Sequence, residues 1–189
     1  MDLSEEFLHW AAKQRDGLPR NVEGTTLAAA ASALAEVGQP FEQVWPYDDG
    51  RDELAADYGP PDGAIDVAGD QRLDGSGPVQ ATSQTIRAWL DAGRAIVLGV
   101  RLYGTWFNPA PSGRIAMPPA GAVQLGAHAV FVVGYEDGIG AGGGWVIVRN
   151  SWGTDWGDDG YGLLPYAYVD RHVIRAWELG TPLGEARAT

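Results

Sequence analysis

Two stretches of the chain, residues 126–135 and 145–157, restrict its fold more than any other part. The first, Gly126-Ala127-His128-Ala129-Val130-Phe131-Val132-Val133-Gly134-Tyr135, is apolar apart from one imidazole near its start. The second runs from Trp145-Val146-Ile147-Val148 through Arg149 to Asn150, then into a turn holding Trp152, Gly153, Trp156 and Gly157. Their length and β-branched content predict two buried strands, each with one polar side chain, His128 or Asn150, at an end. If the strands are neighbours, the Asn150 amide can hydrogen-bond the His128 ring, setting its tautomer and leaving the other nitrogen free to face a cleft. That is the base and its orienter, two parts of a nucleophilic triad. Trp152, two positions beyond Asn150, can cover the bond from water and strengthen it. On physical grounds alone, a lone histidine on an apolar strand is more often a satisfied core residue, and that reading stays open.

Composition bounds what surrounds this pair. A chain of 189 residues, 45% hydrophobic and 20% charged, suits one globular unit or two small lobes and excludes disorder or a collagen-like fold. Eight Trp, seven Tyr and four Phe supply a core, and no apolar run reaches the length of about 20 residues needed to span a bilayer. A net charge of −12 with no basic patch argues against nucleic acid or a membrane surface as partner. The acidic start Met1-Asp2-Leu3-Ser4-Glu5-Glu6 is unlike a secretory leader. The chain has no cysteine, which excludes disulfides, thiolate metal sites and a cysteine nucleophile within these residues. Lack of cysteine also fits a reducing, cytoplasmic setting.

The remaining elements follow from periodicity and punctuation. Asp2 or Ser4 caps a first helix carrying Leu3, Phe7, Trp10 and Ala11 and ending near Gly17. A second helix starts at Thr25 or Thr26 and runs from Leu27 to Val37, closed by Gly38 and Pro40. Residues 48–78 hold nine acidic and two basic residues and are expected to be mostly solvated loop, with a short strand at Ala64 to Val67. A helix from Thr82 to Asp91 precedes a buried strand, Ala95 to Leu102. Further strands are expected at Ala127–Tyr135, Gly144–Arg149, Gly160–Leu164 and Val173–Leu179, with Gly138–Gly144 as a turn. Helices first and antiparallel strands after give an α+β class.

Other chemistry-bearing residues have plain structural readings. His9 falls on the first helix and His172 beside Arg171 before the last strand, so neither has the spacing of a zinc site, and no metal or cofactor is expected. Asp155, Asp158 and Asp159 suit turn hydrogen bonds better than calcium. Gly140 to Gly144 lacks the strand-to-helix setting of a phosphate loop. Ser151 is expected to be scaffold.

The run His-Ala-Val-x-x-Val-Gly-Tyr followed by Asn-Ser-Trp-Gly-x-x-Trp-Gly-x-x-Gly-Tyr resembles the C-terminal part of the papain-like cysteine peptidases, whose triad is Cys, His and Asn. Leu3-Ser4-Glu5-Glu6-Phe7-Leu8, Glu23-Gly24-Thr25 and Trp45-Pro46-Tyr47 are similar to segments of the same family, so the resemblance covers essentially the whole chain. It implies a two-lobed papain-like fold within a single domain, 1–189. The first lobe, roughly 1–45, would be helical and incomplete, the acidic crossover would be 48–78, and a second, antiparallel β-barrel-like lobe would occupy 79–179. It also implies His128 as general base, Asn150 as its orienter, Trp152 as the shield of that pair, Gly24 as a backbone contact for substrate and Ala129 as part of the side-chain pocket, with the loop near Tyr103 to Phe107 also near it. The departure is the nucleophile. The family's Cys-Trp-Ala-Phe-type helix and oxyanion-hole glutamine lie before the Leu-Ser-Glu segment, and these residues contain neither.

Three functions follow. The domain binds a peptide or protein without cleaving it, a pseudoenzyme as it stands. Alternatively it is part of an active cysteine endopeptidase whose Cys segment lies upstream or on another chain that completes the first lobe. The third is a different enzyme using His128 as a lone acid or base. Absence of the family's central helix is expected to leave the apolar faces of the Leu3 and Leu27 helices exposed.

Overall fold

The computed structural model describes residues 2–138 and 143–182. Its helices are α1 (Glu5–Lys13), α2 (Leu27–Glu36), α3 (Ala64–Ala68), α4 (Ser83–Asp91) and α5 (Tyr166–His172). Its strands are β1 (Leu73–Asp74), β2 (Gly77–Val79), β3 (Ala95–Leu102), β4 (Gly126–Asp137), β5 (Gly144–Arg149), β6 (Tyr161–Pro165), β7 (Val173–Leu179) and β8 (Thr181–Pro182). The α+β class holds. The chain divides into two compact units, one formed by residues 1–77 with 179–189 and the other by 78–178. No helix among the described residues is long and apolar enough to cross a membrane.

In the first unit, Ser4 caps α1: its Oγ accepts from the Phe7 N–H at 3.1 Å and donates to the Trp45 carbonyl at 2.5 Å. One buried hydroxyl therefore starts the helix and ties down the Trp45 segment. Phe7, Ala11, Ala33 and Trp45 form a core that also takes in Ala64 and Ala68. The acidic segment is thus anchored at two alanines, while its carboxylates from Asp48 to Asp70 are exposed, as expected of a solvated loop. Tyr58 donates to buried Glu6 Oε1 at 3.0 Å, and burial, with Glu6 beside it, pushes the phenol pKa up.

Residues 64–68 correct the expected strand. Ala64 and Ala68, one helical turn apart, are buried while Ile65, Asp66 and Val67 between them are exposed, the spacing of a helix face and not the alternation of a strand. Gly38 does more than end α2. Its φ is +91°, and a Cβ there would fall 2.0 Å from the Ala68 carbonyl oxygen, so the close approach of α2 and α3 requires glycine. On the first two helices Leu8, Trp10, Leu27 and Leu34 are half-buried and Ala28 and Ala35 exposed, while the exposed large apolar side chains among the described residues of this unit are Leu18, Val22, Tyr47 and Leu54 in loops and Ile65 and Val67 on α3.

The second unit is a six-stranded sheet in the order β2-β7-β3-β4-β5-β6, with antiparallel ladders from β3 through β6. Strict alternation buries Ile96, Leu98, Val100 and Leu102 of β3 against Val130 and Val132 of β4 and Val146 and Val148 of β5. The Gly138 N–H donates to the Gly143 carbonyl at 3.1 Å between β4 and β5. The rest of that expected turn, including most of the Gly140–Gly144 run, lies outside the described residues. The fifth helix was not anticipated. It begins after Pro165, buries Tyr166, Tyr168 and Val169, and is joined to α4 by Asp170, whose carboxylate accepts from the Ser83 N–H at 2.7 Å.

Candidate active site

The ladder between β3 and β4 pairs Val100 with His128 and Leu98 with Val130, so His128 lies on the core face of the sheet at the start of its strand. Asn150 follows β5, held where its backbone N–H donates to the Gly160 carbonyl at 3.0 Å. The two side chains meet: His128 Nε2 lies 2.7 Å from Asn150 Oδ1. Asn150 is only 8% exposed, and the same Oδ1 accepts the Ser151 N–H at 2.8 Å.

That second bond fixes the chemistry of the first. Were the amide reversed, its NH2 group would face the Ser151 N–H, donor against donor. The oxygen must therefore face both groups, and an oxygen can only accept. His128 Nε2 carries the proton, and the neutral ring presents its lone pair at Nδ1. Ser151 contributes through its backbone, as scaffold, and its side chain is exposed.

Aromatic rings enclose the imidazole. Trp152 stacks on it, with centroids 4.8 Å apart and planes 29° apart, and Trp106 meets it edge-on at 6.4 Å. Trp156 packs on both indoles, parallel to Trp106 at 5.9 Å and edge-on to Trp152 at 5.8 Å. Hydrogen bonds hold this cluster to the sheet. Trp156 Nε1 donates to the Trp106 carbonyl at 2.7 Å, Trp106 Nε1 to the Tyr168 hydroxyl at 2.7 Å, and that hydroxyl to the Arg101 carbonyl at 2.6 Å. Arg101 adjoins Val100, the partner of His128 across the ladder, so the network returns to the strand beside His128. Burial pushes the Tyr168 phenol up to about 12, which keeps it protonated and able to donate.

The other sequence candidates have the following surroundings. Ala129 pairs with Gly99 and projects from the face of β4 opposite His128, an exposed face it shares with Phe131 and Val133. Gly24 belongs to the first unit, in an exposed loop with φ +72°, and its carbonyl accepts from Lys13 Nζ at 3.2 Å. His9 sits 3.0 Å from Glu53 Oε2 on the surface of that unit. His172 packs against the Tyr103 and Tyr168 rings, and burial, with the Arg101 and Arg171 cations, holds its pKa below the ordinary value. Asp158 exchanges backbone hydrogen bonds with Tyr161, and Asp159 adopts φ 52°, so both shape a turn. No group of three metal-ligating side chains occurs among the described residues. The loop near Tyr103 to Phe107 was expected beside the pocket, and from it Trp106 meets His128 and Phe107 meets Trp152; Tyr168 was not singled out in the sequence.

Comparison with known proteins decides the family. The sequence model of the papain family of cysteine proteases matches residues 22–171. The chain belongs to the papain family. Its papain-family relatives include an uncharacterized peptidase C1-like protein of Acanthamoeba polyphaga mimivirus, 34% identical over 86 residues, which are 44% of this chain and 26% of that protein. Peptidase 1 of Dermatophagoides pteronyssinus is 46% identical over 83 residues, 44% of this chain and 24% of that one. The matched stretches thus span about a quarter of either relative. Among solved structures, xylellain, a cysteine protease from Xylella fastidiosa, superposes with a TM-score of 0.83 at 26% identity, over 95% of this chain and 70% of its own. Within this papain-family domain the catalytic cysteine is absent, because the chain has none.

Proposed function

We propose that this domain is the base-bearing part of a cysteine-peptidase active site. It binds a peptide or protein without cleaving it as the 189 residues stand, and hydrolyses only when a thiol is supplied from a segment or chain outside them. The observation that carries this reading is the polarity of the His128–Asn150 pair, since a histidine retained only for packing would not need its free lone pair directed to Nδ1. A thiol beside Nδ1 would pass its proton to that nitrogen. The thiolate would attack the peptide carbonyl, the imidazolium would return the proton to the leaving amine, and water would release the acyl group. Asn150 would hold the Nε2–H throughout, and Trp152 would keep water from the bond.

The test uses the chain alone and the chain mixed with a peptide spanning the Cys-bearing helix of a related papain-family protease. Alone, it should bind peptide, leave fluorogenic peptides intact and resist a thiol-directed epoxide. In the mixture, epoxide labelling of the added cysteine should accelerate and should depend on His128. Turnover by the chain alone, insensitive to thiol reagents, would instead favour His128 as a lone acid or base.

A further inference from the structure

Trp45 and Tyr58 make two walls of a cavity of about 290 Å3 in the first unit, whose lining also takes in Arg51, Asp52 and Asp57. The ring centroids are 5.6 Å apart and the planes inclined by 47°, so the rings form an angled wall rather than a stack. Both are held from behind. Trp45 is 6% exposed, its carbonyl accepts the Ser4 hydroxyl, and its indole meets Phe7 and Trp10 edge-on at 6.4 Å. Tyr58 is fixed by its hydrogen bond to Glu6. Aromatic faces beside carboxylates attract a cation, and an indole offers the strongest such face.

The chain places a cation of its own there and seats it poorly. The Arg51 guanidinium carbon lies 5.4 Å from the centre of a Trp45 ring. Its nitrogens stop 3.8 Å from Glu6 Oε1 and 3.9 Å from Asp48 Oδ2, beyond hydrogen-bond reach. Its one hydrogen bond among the described residues goes to the Pro46 carbonyl at 3.3 Å, and Nη1 is buried without an acceptor. Glu6, only 4% exposed, thus carries a buried charge whose one ion-pair partner among the described residues is not hydrogen-bonded to it, a weak return for desolvating both groups. From Asp48 to Asp70 every carboxylate is exposed and Arg51 is the single basic residue, so the surface around the cavity attracts positive charge.

We infer that this cavity is a binding site for the guanidinium of an arginine in a basic peptide segment, which takes the place of Arg51 on the Trp45 ring and is met by the exposed carboxylates of Asp52 and Asp57. Arg51 is the stand-in that the ligand displaces. Lysine suits the site less well, because its compact ammonium holds its water more firmly and has no plane to lay on an indole.

The probe is a blocked peptide, Gly-Arg-Gly-Arg-Gly, titrated into the intact chain at about 0.15 M salt, which screens diffuse attraction between exposed charges. Proton NMR follows the Trp45 and Tyr58 rings, and calorimetry measures affinity. The arginine peptide should shift both rings and bind about three- to tenfold more tightly than its lysine counterpart. A citrulline counterpart, similar in shape but uncharged, should leave the rings unmoved. Arg51→Gln frees the ring and should tighten the arginine peptide by about three- to tenfold, whereas Arg72→Gln, the same charge change at an exposed site outside the cavity lining, should tighten it by less than about twofold. Equal binding of the arginine and lysine peptides, or unmoved Trp45 and Tyr58 rings, overturns the inference. So does an Arg51→Gln protein that gains no more than Arg72→Gln. If Arg51→Gln fails to fold, the three peptides on the wild-type chain decide the matter by themselves.

Discussion

The backbone N–H of Ser151 donates to Asn150 Oδ1 at 2.8 Å, and this bond decides which atom of the amide His128 meets. A local contact between consecutive residues thereby sets the tautomer of a histidine on another strand. Asn150→Ala should cost about 1 kcal/mol in stability and leave the neutral His128 ring as a mixture of tautomers. Chemical denaturation and ring 15N shifts measure the two effects. An unaltered tautomer would show that something other than Asn150 orients the ring.

Tyr168 ties the aromatic cluster to β3. Tyr168→Phe leaves the buried Trp106 Nε1 without its acceptor and the Arg101 carbonyl without the hydroxyl, so stability should fall by about 1–3 kcal/mol. A loss below the error of the denaturation midpoint would mean that water replaces the hydroxyl.

His172 gives the fold a pH dependence. Burial and the neighbouring Arg101 and Arg171 hold its folded pKa below that of the unfolded chain, which is about 6.5. Just below that value the unfolded chain binds more protons. The His172 contribution is therefore complete above about pH 6.5 and declines as the pH drops towards its folded pKa. Lowering the pH from about 7.5 to about 5.5 should reduce the melting temperature of the wild type more than that of His172→Phe. Equal reductions would remove His172 as the source.

Gly38→Ala should destabilise the first unit by about 2 kcal/mol or more, because the new Cβ meets the Ala68 carbonyl at 2.0 Å and the φ of +91° is unfavourable for alanine. Protection of the α3 amides from hydrogen exchange should be lost first. A neutral substitution would mean that α3 moves aside freely.

The strands of the second unit were legible because alternation is strict: Ile96, Leu98, Val100 and Leu102 mark one face of β3, and the expected range, Ala95 to Leu102, is the one observed. The first two helices were legible from their caps, Ser4 and Thr26. Where an element is short, the signal fails. Ala64 to Ala68 spans a little over one turn, too few residues to separate a period of 2 from one of 3.6. Tyr166 to His172 is rich in aromatic and β-branched residues of modest helix propensity, and only Pro165 at its start and the basic pair Arg171 and His172 at its end pointed to a helix.

At the site, the meeting of His128 and Asn150 was legible because each was the single polar side chain at an end of an apolar strand. Trp106 was not, since 22 positions separate it from His128 and only the folded sheet brings them together. The atom-level polarity of the pair was also beyond the sequence, because it depends on the direction of one backbone N–H.

The central claim is that His128 is held with its proton on Nε2 and its lone pair on Nδ1, the arrangement on which the proposed function depends. The most direct measurement is the pair of 15N chemical shifts of the His128 ring in its neutral form, in the intact chain. A single tautomer with Nε2 protonated and Nδ1 bare is the predicted result. A ring protonated on Nδ1, or an even mixture, would contradict the account.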